Sequence, residues 1–252
     1  MKPTLFYSWQ SDTDEVCNRY YLRDVIIASL DKLTADMVVE DEIRFDSDTA
    51  GVAGTPDIAE QVFFKLRHCE CAIFDVTPVS SLGENPGKLL PNPNVLIELG
   101  YAAHAIGWDR VICIMNTGFG HSPDALPFDL RGRRFPIRYE LKDKASKTKY
   151  GFYDLVVAVA IAIRAARDTS HQRAVKALQS LNRDGLTFVE VFGPHPYFSW
   201  NTDIHSSVID RLLVLELLFC NSDAKKGSYA YHWTRLGQLV YEEFRGRPNM
   251  GN

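Results

Sequence analysis

Up to about residue 165, short continuous apolar runs alternate with apolar residues spaced in stripes. Leu5-Phe6-Tyr7-Ser8-Trp9 is an apolar and aromatic run that ends in polar residues, as a first central strand would. From about Cys17 to Leu33 the apolar residues Tyr21, Val25, Ile26, Leu30 and Leu33 recur at three and four residues, which predicts a helix with one buried stripe. Met37-Val38-Val39 to Ile43-Arg44-Phe45 reads as a second strand, and Asp46 to Gly54 as an acidic loop with glycines at 51 and 54. Thr55-Pro56 opens a helix that runs to about His68 and buries Ile58, Val62 and Leu66. Cys71 to Val76 is a third strand ending in a carboxylate, and Thr77 to Pro91 reads as a long loop. Asn92-Pro93 starts a helix ending near Ile106-Gly107, with Val95, Leu99, Ala102 and Ile106 as its buried stripe. Val111 to Met115 and Phe135 to Tyr139 are a fourth and fifth strand, and a long apolar helix covers about Phe152 to Arg167. Strands alternating with helices in this way predict an α/β domain, residues 1–165, built on a five-stranded, mostly parallel sheet covered on both faces.

The pattern changes near Thr169. His171 to Leu181 reads as a short helix, Leu186 to Phe192 as a short strand and Pro194 to Trp200 as a loop. An apolar helix over Ile209 to Phe219, a hairpin strand over Gly227 to Trp233 and a last helix over Thr234 to Phe244 follow. Residues 169–252 therefore form a small α+β domain whose tail is winged-helix-like. If it binds nucleic acid, Arg173, Lys176, Arg183, Lys225, Lys226 and Arg235 should gather on one face; otherwise a partner protein or a nucleotide signal is its natural ligand.

Composition narrows this picture only modestly. A hydrophobic fraction of 46% and a charged fraction of 24% over 252 residues are those of a globular protein. A formal net charge of -4 exerts no global pull on nucleic acid or anionic membranes. The longest apolar stretch, Leu155 to Ile163, is about half of what spans a bilayer, and the N-terminus reads directly into a strand, so a cytoplasmic protein with no membrane attachment is expected. The cysteines at 17, 69, 71, 113 and 220 form no C-x-x-C pair, and the histidines have no ligand spacing; free thiols and no metal are expected. No glycine-rich phosphate loop of the dehydrogenase or kinase kind is present.

Ligands of parallel α/β sheets sit beyond the carboxyl ends of the strands. That rule selects Ser8, Trp9 and Gln10, then Asp46 and Asp48, then Asp75, and the loop leading into Glu98. Glu98 lies six residues past Asn92, with Asn94 and Tyr101 on the same edge of the helix, beside the buried stripe. A carboxylate there is either an ordinary solvated glutamate or a partly desolvated group able to bind hydroxyls and stabilise a developing cation. Trp9 or Tyr7 can stack on a ring or belong to the core. Ser8 and Gln10 offer hydrogen bonds. Asp46 and Asp48, with Gly51 permitting close backbone approach, border a ligand or make an ordinary turn, and Asp75 caps a turn or binds a hydroxyl. Arg131-Gly132-Arg133-Arg134 meets phosphate or is a solvated loop.

Four segments together resemble bacterial TIR (Toll/interleukin-1 receptor) domains, and among them the predicted nucleotide-binding, TIR-like proteins of antiphage defence. They are Phe6 to Ser11, the loop Asp46 to Gly54, Ile73-Phe74-Asp75-Val76-Thr77, and Pro93-Asn94-Val95-Leu96-Ile97-Glu98-Leu99-Gly100-Tyr101-Ala102. The resemblance covers roughly residues 3–140, and its most specific part is the last. It implies a flavodoxin-like TIR fold, self-association through that domain, and NAD⁺ as a substrate, with no further cofactor. It also implies that Glu98 is the catalytic residue of nicotinamide–ribose cleavage, by hydrolysis or cyclisation. Such cleavage passes through a ribosyl cation, which one carboxylate can stabilise. Two other functions fit the same residues: a TIR-like scaffold without turnover, and an enzyme like the nucleoside deoxyribosyltransferases, which also place a carboxylate at the mouth of an α/β sheet.

Overall fold

The computed structural model describes residues 3–36, 43–46, 58–82, 88–131, 136–143, 149–201, 207–223 and 228–247. The chain divides into two units, Lys2–Arg167 and Asp168–Asn252.

The first unit is α/β. Its strands β1 (Thr4–Ser8), β2 (Arg44–Asp46), β3 (Cys71–Asp75), β6 (Val111–Asn116) and β7 (Ile137–Tyr139) form one five-stranded sheet in the order β2-β1-β3-β6-β7. Every pairing is parallel. An all-parallel sheet with this order, flanked by helices, is consistent with a flavodoxin-like fold. Its helices are α1 (Arg19–Asp36), α2 (Ile58–His68), α3 (Pro93–Ala105), the short α4 (Phe128–Arg131) and, as far as Arg167, α5 (Lys149–Ser180).

The central strands are buried on both faces, so the strict alternation of side chains assigns each residue to one of two layers. Leu5, Tyr7, Cys71, Ile73, Ile112 and Ile114 pack with α1 and the first part of α5. Phe6, Ala72, Phe74 and Met115 pack with α2 and α3. The expected stripes of α1 (Tyr21, Val25, Ile26, Leu30, Leu33) and α3 (Val95, Leu99, Ala102, Ile106) are buried in those layers. Asn92 caps α3 by accepting from the backbone N–H groups of Asn94 and Val95, with Pro93 in the first turn. Gly107, at φ 84°, follows the C-cap Ile106, where a left-handed residue ends a helix without strain.

The segment expected as a loop from Thr77 to Pro91 instead carries an antiparallel pair, β4 (Pro78–Leu82) and β5 (Lys88–Pro91). Its prolines sit at the ends of a two-stranded ribbon, where a missing donor breaks no ladder.

The second unit is α+β and departs further from the expected pattern. Residues 152–167 and 171–181 were expected as separate helices, but α5 is continuous, because no glycine or proline lies between Asp168 and His171 to end it. Leu186 to Phe192 is not a strand but part of α6 (Arg183–Phe192). Asn182 caps it by accepting from the Gly185 N–H, and Gly185, Phe188 and Val189 recur at helical spacing. Tyr197–Asn201 is strand β8, not a loop. α7 spans only Ser207–Val214, because Glu216 adopts φ 58° and turns the chain into β9 (Leu218–Asp223). β10 (Ser228–Trp233) pairs antiparallel with both β8 and β9, and α8 (Arg235–Gly246) follows. Phe188, Val189, Phe198, Tyr231, Trp233, Leu239 and Val240 make this unit's own core.

Two helices, α6 and α7, precede the β9–β10 hairpin, with β8 between them in sequence, and residues 215–217 join α7 to β9. Two of the residues expected on a basic face are engaged within the unit. Arg235 is 3% exposed and bound to Glu242, and Arg173 is paired with Glu216. Lys225 and Lys226 lie outside the described residues.

Gly237, in the first turn of α8, is set by close approach: a Cβ there would meet the Leu217 carbonyl oxygen at 2.2 Å and Trp233 Cε3 at 2.6 Å. Gly237→Ala is therefore expected to lower stability by about 2 kcal/mol. Gly246→Ala, whose Cβ meets nothing within 4 Å, should be neutral or gain about 0.5 kcal/mol. Urea unfolding midpoints of the two variants should separate accordingly; equal midpoints would show that α8 does not pack as described.

Candidate active site

Ser8 is the last residue of β1, and alternation puts its side chain on the same face as Phe6, toward α2 and α3. There its hydroxyl donates to Glu98 Oε2 at 2.6 Å. Ser8 is 2% exposed, whereas Glu98 is half-buried, one shoulder away from the buried stripe of α3. The contact fixes Glu98 at the carboxyl edge of the sheet. Nearby, the Asn92 side-chain amide donates to the Asp12 carboxylate, tying the loop after β1 to the start of α3.

The same alternation sends Tyr7 and Trp9 to the other face. Tyr7 is 1% exposed, packed in the α1 layer with its ring tilted against Phe45. Burial, reinforced by the Asp75 carboxylate, holds its phenol well above the ordinary value. Tyr7 is thus part of the core and offers no ring at the mouth. Trp9 packs against that layer too, and the guanidinium of Arg19 lies 3.3 Å over its ring while pairing with Glu15 at 3.1 Å.

Asp75 ends β3 on the α1 side, across the sheet from Glu98. It is wholly buried, and both its oxygens are engaged: Oδ1 accepts from the Thr77 N–H and Oδ2 from the Asn18 amide, each at 3.0 Å. It is a turn cap and an anchor, not a group presented to a ligand. Gln10, also buried, donates to the Thr77 carbonyl at 2.7 Å. The Thr77 hydroxyl accepts from Asn18 and from the Asn116 N–H, and the Asn116 side chain bridges Asn18, Gly118 and Leu141. Asn18, Thr77 and Asn116 were not among the residues singled out from sequence. Asn116 could have been, by the rule that selected Asp75: each is the polar residue closing an apolar strand.

Asp46, at the end of β2, is paired with Lys65 of α2 at 2.8 Å. Tyr101 stacks on Phe63 at 4.4 Å, and its hydroxyl accepts from the Arg67 guanidinium, so it faces α2. Asn94 is exposed on the first turn of α3. Asp48 and Gly51 lie outside the described residues, as do residues 132–134 of the basic run; Arg131 is exposed and donates to the Asp124 carbonyl. The structure thus joins Ser8 directly to Glu98 and holds Gln10 at the neighbouring strand end. It places Tyr7, Trp9 and Asp75 on the α1 side of the sheet, away from the Ser8–Glu98 pair. A cavity along β7, lined by Tyr21, Arg138, Tyr139, Glu140 and Asp154, shares none of the candidate residues.

No protein-family model matches the chain, and no curated protein matches it in sequence.

Burial raises the Asp75 carboxyl above the ordinary carboxylate range, opposed by hydrogen bonds from Thr77, Asn18 and Gln10. A carboxyl that binds its proton more tightly when folded makes stability fall as pH rises from the unfolded carboxylate value through the raised folded one. Asp75→Asn abolishes that titration but leaves an amide facing the Asn18 amide, at a cost of about 1–3 kcal/mol. The stability gap between wild type and variant should be widest in acid and narrow as the pH rises through that window. Urea titrations across a pH series measure it; a gap that widens with pH would contradict this account.

Proposed function

We propose that the chain is a TIR-type NAD⁺ glycohydrolase, with Glu98 as its catalytic residue. The observation that supports it most is the placement of Glu98: half-buried at the carboxyl edge of an all-parallel sheet, hydrogen-bonded from the end of a central strand. The segment around it, Asn94 to Ala102, is also where the resemblance to TIR-like proteins is most specific.

The chemistry follows from the residue type. The nicotinamide–ribose bond breaks with its electron pair leaving on neutral nicotinamide, and the ribosyl carbon becomes cationic. A carboxylate beside the ribose stabilises that cation and holds the hydroxyls, as in glycoside hydrolysis. Nicotinamide is a good leaving group, so no strong general acid is needed. Water then adds at the cation, giving ADP-ribose and a proton; an adenine nitrogen of the same molecule, if seated there first, closes a cyclic product instead. Self-association or a signal would govern activity, with the second unit as the sensor or the contact for a partner protein. A cytoplasmic role in defence against phage accords with the resemblance.

The test is nicotinamide release from NAD⁺ by the purified chain at high concentration. Glu98→Gln keeps the side-chain size but removes the charge, and should slow release by about 10²- to 10³-fold. Its stability should stay within about 0.5 kcal/mol of wild type. Base exchange on deoxynucleosides, with NAD⁺ untouched, would favour a deoxyribosyltransferase-like enzyme. No turnover of either substrate under activating conditions would leave a scaffold.

A further inference from the structure

Glutamate on a half-buried helix position samples several rotamers, and an unrestrained carboxylate would spend little time aligned with a substrate. Here the restraint comes from a different element. Ser8 and Glu98 are 90 residues apart in sequence, yet the hydroxyl meets Oε2 at 2.6 Å, within the range of short charge-assisted O–H···O bonds. An ionised carboxylate accepts only, so the serine must donate. The donor stands on rigid ground: β1 is paired with β2 on one side and β3 on the other, and Ser8 itself sits opposite Phe74. Its burial removes competing water from the bond. Holding one carboxylate oxygen fixes the plane of the group and so where the second oxygen points.

We infer that Ser8 is the positioning residue for Glu98, the strand-borne donor that orients the carboxylate toward the developing ribosyl cation. This rests on the glycohydrolase reading of the same site. Ser8 acts through Glu98 and not on the substrate, which distinguishes it from Gln10, whose amide is already committed to the Thr77 carbonyl.

A double-mutant cycle on the full-length chain tests it, with nicotinamide release from NAD⁺ as the readout. Ser8→Ala should lower kcat by about 10- to 100-fold. KM should stay within about twofold, since orientation is lost and binding is kept. Ser8→Thr, which restores the hydroxyl, should recover most of that loss, and circular dichroism should show all variants folded. In the Glu98→Gln background, Ser8→Ala should have almost no further effect, because the group it orients is gone. Full activity of Ser8→Ala beside an inactive Glu98→Gln would overturn the positioning role and leave the glycohydrolase standing. Equal losses in both backgrounds would overturn it too, by showing that Ser8 acts independently of Glu98. A wild type that releases no nicotinamide under activating conditions would overturn both together.

Discussion

Thr77 spends every polar atom it has at the carboxyl edge of the parallel sheet. Its N–H goes to Asp75, its carbonyl takes the Gln10 amide, and its hydroxyl accepts from Asn18 and from the Asn116 backbone. All of these groups are buried, so leaving any one unmatched would cost about 1–3 kcal/mol. Their mutual satisfaction therefore fixes the spacing of the ends of β1, β3 and β6. Asn116 extends the same network to Leu141, just past β7. The strand ends on which any ligand of this fold must rest are thus held by side chains beneath them, and not by the ladder alone.

Above that network, the pleat decides which side chains can cooperate. Ser8 and Tyr7 are neighbours in sequence, but one meets Glu98 and the other lies in the α1 layer. Asp75 and Glu98 both stand at the same edge, yet the sheet lies between them. A list of polar residues at strand ends therefore overstates the site, because alternate members belong to opposite faces. Of the candidate residues at the described strand ends, Ser8 is the one whose hydroxyl meets Glu98 directly.

Much of the first unit was legible in the sequence because its information is local. The cap Asn92-Pro93, the stripe Val95, Leu99, Ala102 and Ile106, and the apolar runs of β3 and β6 each announce themselves within a few residues. The pairings that matter most at the edge are not local. Asn18 to Asp75 spans 57 residues and Asn116 to Asn18 spans 98, and no periodicity encodes such a partner. The second unit was read less well for a different reason. Thr187, Val189 and Val191 give α6 the composition of a strand, and only the Asn182 cap and the spacing of Phe188, Val189 and Phe192 mark it as a helix. The turn at Glu216 has no glycine to reveal it, so the apolar run through Phe219 looks like one helix and is two elements.

The span between Ser8 and Glu98 also bears on when a site can exist at all. During synthesis β1 leaves the ribosome long before α3, and closing a segment of 90 residues must follow the formation of much of what lies between. A nascent or partly unfolded chain holds both residues and no assembled pair. Loosening α3 alone is enough to separate them, because the serine stays with the sheet and the glutamate leaves with the helix. The Ser8–Glu98 geometry is therefore a property of the docked layer, and not of any fragment that contains its residues.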